Sequence, residues 1–392
     1  MKHAVVIGSG PAGLMAAEVL AQAGVKVTVC EAKPSVGRKF LMAGKSGLNL
    51  TKVEEAAAFH SAFTDAMPWM GPILDAFGQD AVQMWVKGLD QSIFTGSTGR
   101  VFPTAMKASP LLRAWLARLG ELGVAFNTRW RWTGWNNNAL QFDTPDGAQQ
   151  LEPDVTVLAL GGASWRRLGS DGIWSDLLKA QGVAIAPFEP ANAGIGVDWT
   201  PYMDKHLGTA LKGISLRAGP YVSRGEAVLS RKGLEGGGIY TVSRGVREEH
   251  QLMLDLAPDL DVGAVAAKLS KPRGKATQTS HLRKTLGLDA AKIALLQEMA
   301  TPLPKEVKTL AELIKGLNIR HAGLRPMNEA ISTAGGVARA AFDDTLLLHK
   351  VPNTYVVGEM LDWEAPTGGY LITACVATGA WAGHHAAARL LS

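Results

Sequence analysis

Glycines and one acid in the first thirty-one residues have the spacing of a site for nucleotide phosphates. The apolar residues 4–7 predict a buried parallel strand, and the run GSGPAG at residues 8–13 follows directly. Residues 14–22 then predict a helix, and residues 25–30 predict a second strand that is followed by Glu31. A strand, glycine turn, helix and strand ending in an acid form the βαβ unit that binds dinucleotides.

Each residue of this turn has a physical role in such a site. Gly8 permits the tight turn, Gly10 lets a pyrophosphate approach the backbone, and Gly13 lets the helix pack closely on the strand. The start of the helix offers free N–H groups and the positive end of its dipole. Glu31 can accept hydrogen bonds from ribose hydroxyls. A glycine-rich turn in an ordinary α/β domain requires neither the second strand nor the acid, so the combination favours dinucleotide binding.

Composition limits the remaining possibilities. With 392 residues, 47% of them hydrophobic, the chain can form two domains with a sizeable core. Its net charge of +5 is weak evidence for nucleic acid. Its two cysteines cannot form a disulfide framework, and we expect Cys30 to be buried and inert. Because no signal peptide or membrane-spanning stretch is recognisable, we expect a cytoplasmic protein without a membrane partner.

The middle of the chain predicts an inserted region of different character. Residues 154–162 predict another buried strand ending in Gly161 and Gly162, in the α/β style of the first unit. Residues 187–256 are rich in glycine and β-branched residues and predict β structure. The run GGGIYT at residues 236–241 is either a second phosphate loop or a bulge or tight turn, and the bulge or turn is favoured. Residues 261–317 predict short helices.

The carboxyl-terminal residues indicate which dinucleotide binds. Residues 353–359 predict a strand ending in Gly358 and Glu359, and a Gly368-Gly369-Tyr370 turn precedes a helix over residues 371–390. FAD is long enough for its adenosine end to lie on the first unit while its flavin reaches this second site. Glu359 can then bind ribityl hydroxyls, and the helix can direct its N–H groups at the flavin edge that is negative when reduced.

These motifs resemble a bacterial flavoprotein family that includes aminoacetone oxidase and dehydro-bile-acid reductases. The resemblance covers nearly the whole chain and also includes residues 37–39, 44–51, 98–103 and 333–337. It implies an α/β fold: a glutathione-reductase-like FAD-binding Rossmann domain formed by both chain ends. The predicted boundaries are 1–186 with 327–392 for the FAD-binding domain, 187–258 for an inserted β domain and 259–326 for a helical cap.

The residues expected to bind the cofactor come from both ends of the chain. They are Gly8, Gly10, Pro11, Ala12, Gly13, Glu31, Ala32, Gly37, Arg38, Lys39, Lys45, Ser46, Asn49, Gly161, Gly162, Gly358, Glu359, Asp362, Gly368, Gly369 and Tyr370. Many relatives carry Gly-Gly-Gly-Arg-Cys-Asn where this chain has Gly44-Lys45-Ser46-Gly47-Leu48-Asn49. Leu48 stands at the cysteine position, so this chain cannot perform thiol chemistry there, and the relatives' substrates do not transfer directly.

The expected activity is hydride transfer between flavin N5 and a small organic substrate, with NAD(P)H or oxygen as the other redox partner. Only one complete dinucleotide fingerprint is recognisable, so NAD(P)H would bind transiently near the flavin. Arg100 can hold an anionic substrate, and Asp362 or Tyr370 can move a proton. Trp363 can line the pocket. No zinc spacing or Ser/His/Asp triad is apparent.

Two alternatives remain open from the sequence. An RNA-modifying flavoenzyme would use the acid-free basic run from Lys268 to Lys284, although a solvated helical surface explains that run more simply. A non-catalytic FAD-binding protein would need only the cofactor site. Nucleic acid is therefore the less favoured partner, and a small molecule the favoured one.

Overall fold

The computed structural model describes residues 2–44 and 47–392. The chain divides into two compact units, one containing the residues up to 189 together with 332–392, the other containing residues 190–331. The predicted division of the middle segment at residue 258 into a β domain and a helical cap stays a prediction.

The amino-terminal part of the first unit alternates strands and helices. Its strands are β1 (His3–Ile7), β2 (Lys26–Glu31), β3 (Thr51–Lys52), β4 (Ile93–Thr95), β5 (Arg100–Pro103), β6 (Ala125–Thr128), β7 (Arg131–Asn136), β8 (Ala139–Thr144), β9 (Gly147–Leu151), β10 (Val155–Leu158) and β11 (Ile185–Ala191). Its helices are α1 (Pro11–Gln22), α2 (Arg38–Ala43), α3 (Ala56–Ser61), α4 (Met67–Ala76), α5 (Gln79–Gly88), α6 (Ala108–Glu121) and α7 (Trp174–Ala180).

The second unit and the returning chain supply the remaining elements. The second unit has strands β12 (Ile195–Gly196), β13 (Ala210–Ala218), β14 (Tyr221–Ser230), β15 (Gly233–Glu235), β16 (Leu252–Asp255) and β17 (Leu317–Asn318). Its helices are α8 (Gly237–Arg247), α9 (Val262–Leu269), α10 (Gln278–Leu286), α11 (Ala290–Met299) and α12 (Val307–Lys315). The chain then returns to the first unit with β18 (Ser332–Val337), β19 (Thr354–Val356) and α13 (Tyr370–Leu391).

A parallel sheet of order β19-β10-β1-β2-β6 forms the centre of the first unit. The register aligns Ala4 of β1 with both Val27 of β2 and Val155 of β10. Because these strands are buried on both faces, they read as continuous apolar runs in the sequence. Their carboxyl ends lie at one edge of the sheet, which is where ligands bind in open α/β folds. This edge therefore gathers the turns after β1, β2, β10 and β19.

The two ends of the chain meet on one face of this sheet. Helix α13 packs along α1 so closely that a Cβ atom on Gly379 would lie 2.2 Å from the carbonyl oxygen of Ala12. A Cβ atom on Gly383 would lie 2.9 Å from Cβ of Val19. Small residues are thus required on α13 for the contact. The expectation that both chain ends form one Rossmann domain is confirmed.

The second unit is built on a six-stranded antiparallel sheet of order β12-β15-β14-β13-β16-β17. Its apolar side chains form a hydrophobic cluster of their own, to which both the strands and helices α8–α12 contribute. Helix α8 lies on this sheet and buries Ile239, Val242 and Val246, three residues on one helical face.

The interpretation of residues 236–241 as a bulge or tight turn is wrong. The residues after β15 form the first turns of α8, and Gly236 has a φ of 101°, which suits glycine at a strand-to-helix turn. The apolar residues at helical spacing begin only after the glycines, so the glycine run concealed the helix start. Close packing also explains the run, because a Cβ atom on Gly238 would lie 2.6 Å from the carbonyl oxygen of Glu226.

Candidate cofactor site

Packing within the protein accounts for two of the three fingerprint glycines. The N–H of Gly8 donates to the carbonyl of Cys30 over 2.8 Å, and a Cβ atom on Gly8 would lie 2.2 Å from the carbonyl oxygen of Ala159. A Cβ atom on Gly13 would lie 2.0 Å from the carbonyl oxygen of Gly8. These glycines are therefore needed for the strand, turn and helix to pack, with or without a ligand.

Gly10 is the exception in this turn. Its φ of −75° is accessible to any residue, and within the described residues no atom beyond its two chain neighbours lies within 4 Å of the position a Cβ would take. Neither strain nor packing explains a glycine here. Gly10 caps α1, and Pro11 at the first helical position has no N–H to satisfy. The N–H groups of Ala12 and Gly13 belong to the first turn, where intrahelical acceptors are missing. A phosphate group fits this set of donors and free space.

Glu31 lies beside this turn at the end of β2. Its Oε2 accepts from the backbone N–H of Ser9 at 3.2 Å and from Ser9 Oγ at 2.5 Å, and its Oε1 accepts from the N–H of Lys33 at 2.8 Å. These bonds fix the carboxylate. Because each carboxylate oxygen can accept more than one hydrogen bond, the partly exposed Glu31 can still accept from ribose hydroxyls. The neighbouring Ala32 is also partly exposed.

The loop after β2 contains polar atoms without partners. Gly37 has a φ of 64°, and its N–H donates to the carbonyl of Ser9 over 3.1 Å, which ties the loop to the first turn. Among the described residues, the buried Nε of Arg38 and the buried Oδ1 of Asn49 have no hydrogen-bond partner. Orphaned buried polar atoms are costly, so a polar ligand beside them would be stabilised. The predicted residues Lys45 and Ser46 lie outside the described residues.

A charged network connects the loop with the carboxyl-terminal strand. Lys39 Nζ lies 2.6 Å from Oε2 of Glu359 and donates to Ser164 Oγ over 2.8 Å. The backbone N–H groups of Gly162 and Thr333 donate to the two carboxylate oxygens of Glu359, over 3.4 and 3.0 Å. Glu359 thus joins the ends of β10 and β19 to α2. Its lone pairs are already partly used, which leaves fewer for ribityl hydroxyls than the sequence suggests.

Thr333 and Ser164 were not among the predicted site residues. Thr333 Oγ1 accepts from the N–H groups of Ala163 and Ser164, over 2.9 and 3.1 Å. A Cβ atom on Gly162 would lie 2.4 Å from Thr333 Oγ1, so the glycine permits this close approach. The Thr-Ala-Gly-Gly-Val motif at residues 333–337 was a signal for this residue, since it was among the motifs that carried the family resemblance.

The glycines after β10 and β19 place these strand ends against α1 and the Glu359 network. A Cβ atom on Gly358 would lie 2.7 Å from Cβ of Ala12, and the N–H of Gly358 donates to Thr378 Oγ1 over 3.0 Å. Gly161 has a φ of 73°, and its Cβ would lie 4.0 Å from Oε2 of Glu359. The opening glycine turn and the Gly358–Glu359 pair therefore share one part of the molecule.

The second helix start in this region belongs to α13. Gly368 and Gly369 have φ angles of 117° and 114°, values that favour glycine. A Cβ atom on Gly369 would lie 2.4 Å from the carbonyl carbon of Thr51, and one on Gly368 would lie 3.1 Å from Nε of Arg100. The structure thus brings the predicted residues Arg100, Gly368, Gly369 and Tyr370 together. Among the described residues, the partly exposed Arg100 has neither an ion pair nor a side-chain hydrogen bond.

Tyr370 is held by protein groups on all sides. Its ring packs against Phe59 and Phe63 with centroids 5.0 and 6.1 Å apart. Its hydroxyl accepts from Lys52 Nζ over 3.0 Å and donates to Glu54, and Lys52 Nζ lies 2.5 Å from Glu54. Burial and the Glu54 bond raise the pKa of Tyr370. Desolvation lowers the pKa of Lys52, but its bonds to Glu54 and Tyr370 outweigh it and leave that pKa raised.

Asp362 and Trp363 have different environments. The side chain of Asp362 is exposed, and its backbone N–H donates to the carbonyl of Val337 over 3.0 Å. Desolvation by the surrounding protein, with added repulsion from Glu364 and other acids, raises the pKa of Asp362 against an opposing hydrogen bond from Gly335. Trp363 is buried and donates its Nε1 proton to the carbonyl of Gly358 over 2.8 Å, which is a packing role.

Both cysteines have raised pKa values, although Cys30 is buried and Cys375 is partly exposed. Burial raises the pKa of Cys30 to about 12, and burial with the charge of Glu359 raises that of Cys375 to about 12. Leu48, at the position of the relatives' cysteine, is fully buried. Within the described residues, no cluster of His, Cys, Asp or Glu has the form of a metal site. Across the same residues, no helix has the length and apolarity needed to cross a bilayer.

Known proteins with similar sequences match nearly the whole chain. A 3-dehydro-bile acid delta(4,6)-reductase from Clostridium scindens is 26% identical and the match covers 98% of each chain. Ribosomal RNA dihydrouridine synthases from Haemophilus influenzae and Escherichia coli are 24% and 22% identical; the first match covers 93% of this chain and 94% of the relative, and the second 94% and 93%.

Solved structures share the fold at low identity. A 3-ketosteroid delta1-dehydrogenase from Sterolibacterium denitrificans has a TM-score of 0.54 at 12% identity and the match covers 99% of this chain and 100% of that one. A 3-ketosteroid-delta4-(5alpha)-dehydrogenase from Rhodococcus jostii has a TM-score of 0.51 at 16% identity, with coverage of 98% and 97%. Residues 2–385 match the HI0933-like protein Rossmann domain. The chain therefore belongs to the HI0933-like family of FAD-binding Rossmann proteins.

Proposed function

We propose that this protein is an FAD-dependent oxidoreductase that transfers a hydride between flavin N5 and a small organic substrate. The observation that carries the proposal is Gly10, because this glycine is required by neither packing nor backbone strain and faces open space at the start of α1. Its setting supports the choice of FAD, since the opening turn and the Gly358–Glu359 pair come together in one unit.

The proposed site residues have separate tasks. The turn from Gly8 to Gly13 would bind the pyrophosphate and Glu31 the adenosine ribose. The unpartnered Nε of Arg38 and Oδ1 of Asn49 would form hydrogen bonds with the cofactor. The first turn of α13 would direct N–H groups and the positive end of its dipole toward the ring system. The Lys39–Glu359 ion pair would fix the strand ends between these two regions.

We propose reduction of a carbon–carbon double bond conjugated with a carbonyl group as the reaction. The names of the relatives support this class, since both a bile acid delta(4,6)-reductase and a dihydrouridine synthase imply hydrogen added across a ring double bond. Asp362, whose pKa is raised, would retain a proton to higher pH than an ordinary aspartate and supply it to the substrate.

NAD(P)H is the proposed electron donor, with oxygen as the alternative partner. Stopped-flow mixing of the FAD-loaded protein with NADH, NADPH and a panel of primary amines tests this directly. Loss of oxidised-flavin absorbance with NAD(P)H is the expected result. Bleaching by amines alone would make the protein an oxidase, and bleaching by no reductant would favour a non-catalytic FAD-binding protein. We also propose a cytoplasmic location, because NAD(P)H is available there.

A second candidate function is the modification of RNA, and a basic surface on the second unit favours it. Six cationic residues on α9, α10 and their connecting loop form no ion pair among the described residues: Lys268, Lys271, Arg273, Lys275, Arg283 and Lys284. All but Lys268 are exposed. The hydrogen bond between His281 and the carbonyl of Leu269, at 2.9 Å, holds the start of α10 against the end of α9.

Salt-dependent binding distinguishes the two functions. If RNA binds this surface, replacing Lys271, Arg273 and Lys275 together by Gln should reduce the slope of log K against log salt by about 2, since each phosphate contact to single strands contributes about 0.7. A matched variant would replace the exposed Lys87, Arg113 and Lys350 of the first unit by Gln. Absence of RNA binding at physiological salt would exclude this candidate.

A further inference from the structure

Both residues of the short strand β3 bind the start of helix α13. Thr373 Oγ1 in the first turns of α13 donates to Thr51 Oγ1 over 2.9 Å, and Lys52 donates to the hydroxyl of Tyr370. Thr51 and Lys52 are the two residues of β3. Arg100 lies directly opposite Lys52 in the antiparallel pair of β3 and β5. The strand pair therefore couples the start of α13 to Arg100.

Three polar side chains form a closed hydrogen-bonded triangle at this point. Lys52, Glu54 and Tyr370 each contact the other two; the side chains of Lys52 and Glu54 are 26% and 19% exposed, and Tyr370 is buried. The charges of Lys52 and Glu54 neutralise each other. Arg100 is different, because no carboxylate among the described residues pairs with it. Among the residues described at this helix start, Arg100 is thus the positive charge without a carboxylate partner.

We propose that Arg100 sets the reduction potential of the bound FAD, and that Lys52, Glu54 and Tyr370 are positioning residues that hold Arg100 and the α13 start in register. This inference rests on the proposed FAD site. Two-electron reduction with a single proton leaves one negative charge on the N1–C2 edge of the ring system. Arg100 stabilises that charge and so favours the reduced cofactor.

The triangle explains why Tyr370 is unsuited to proton transfer. Its hydroxyl proton is given to Glu54 while its oxygen accepts from Lys52, so both of its polar functions are used within the protein. Its raised pKa leaves the hydroxyl protonated throughout the physiological range. Tyr370 therefore acts through the groups that it holds, and not on the substrate.

The test compares the affinity of apoprotein for oxidised and for reduced FAD in four proteins: wild type, Arg100→Gln, Arg100→Lys and Tyr370→Phe. In Arg100→Gln, the binding of reduced FAD relative to oxidised FAD should weaken about tenfold, which for a two-electron couple is a potential about 30 mV lower. Arg100→Lys should stay near the wild type. Tyr370→Phe keeps the ring contacts with Phe59 and Phe63 and should weaken the ratio about twofold to threefold.

The pH dependence of the potential gives a readout that a structural role would not change. In Arg100→Gln, the pH at which reduction begins to take up one proton instead of two should move upward, because the anionic reduced form loses its cation. Arg389→Gln is the matched control, since it removes one exposed charge from the other end of α13. Equal behaviour of Arg100→Gln and Arg389→Gln would overturn the inference. Failure of the wild type to bind FAD would instead overturn the proposed function.

Discussion

Two strand–glycine–helix turns among the described residues differ in the space in front of their glycines. In the first unit, β1 leads through Gly10 into α1, and the space in front of Gly10 is free of described atoms. In the second unit, β15 leads through Gly236 into α8, and Gly238 lies against the carbonyl of Glu226. Both acids beside these turns are partly exposed, but Glu31 is bonded to Ser9 and to the N–H of Lys33, whereas Glu235 pairs with Arg325.

This comparison shows that a glycine-rich turn before a helix does not by itself indicate a phosphate site. At the α8 turn, glycine lets the helix lie close to an antiparallel sheet. At the α1 turn, the same need explains Gly8 and Gly13 but leaves Gly10 unexplained. The direction that a missing Cβ would take therefore identifies the glycines that packing requires, and Gly10 is not one of them.

The largest expected effect follows from Gly10→Val. The added side chain would occupy the space proposed for the pyrophosphate, so FAD affinity should fall at least about 100-fold, or about 2.7 kcal/mol. The apoprotein should keep most of its stability, because no described atom beyond the neighbouring residues lies within 4 Å of the added Cβ. Flavin fluorescence titration and urea unfolding measure the two quantities. A destabilised apoprotein with normal FAD affinity would reverse the assignment of the two turns.

Gly238→Ala should produce the opposite pattern. Its Cβ would lie 2.6 Å from the carbonyl oxygen of Glu226 and 2.8 Å from Leu216 Cδ1, so overpacking should cost about 2 kcal/mol of the second unit's stability. FAD affinity should stay within about twofold of the wild type, a difference of about 0.4 kcal/mol. Urea unfolding of the apoprotein and FAD titration of the folded variant test this pair of outcomes. Reduced FAD affinity at unchanged stability would indicate a ligand at the α8 turn.

Substitution of the acid beside the α1 turn should weaken FAD binding, whereas substitution of the acid beside the α8 turn should not. Glu31→Gln should weaken FAD binding about tenfold, or about 1.4 kcal/mol, because a neutral amide accepts hydrogen bonds from hydroxyls less strongly than a carboxylate. Glu235→Gln is the matched change and should leave FAD binding unaltered while it removes the ion pair with Arg325. Isothermal titration with FAD measures both, and similar losses in the two variants would count against a ribose contact at Glu31.

The smallest expected effect is on the reactivity of the two thiols. Both cysteines lie in the first unit, so their labelling reports on the opening of that unit alone. Cys30 and Cys375 are the protein's cysteines, and both pKa values are raised to about 12. The thiolate fraction should therefore stay negligible up to about pH 10 in the folded protein and increase at higher pH. Iodoacetamide labelling at pH 8, followed by mass spectrometry, should detect no alkylation until the protein unfolds. Gly238→Ala should label as slowly as the wild type, and rapid labelling of the folded wild type would contradict the raised pKa values.

The sequence predicted those parts of the site that depend on neighbouring residues. The β1–α1–β2 unit is local, so its strand, glycines, helix and acid could be recognised by spacing. The α8 turn was missed because its helix starts within the glycine run, ahead of its apolar face. Pairings such as Lys39 with Glu359 and Lys52 with Tyr370 join residues 320 and 318 positions apart, so no local pattern encodes them. The neutralised Lys52–Glu54 pair, and an Arg100 that no carboxylate of the described residues pairs with, become apparent only in three dimensions.

Titration of the wild-type apoprotein with FAD, followed by flavin fluorescence, decides whether the α1 turn binds the cofactor. We expect saturable quenching with one FAD per chain, and loss of that binding in Gly10→Val but not in Gly238→Ala. A wild-type protein that binds no FAD, or a Gly10→Val variant that binds it as tightly as the wild type does, would show that the α1 turn is not an FAD site.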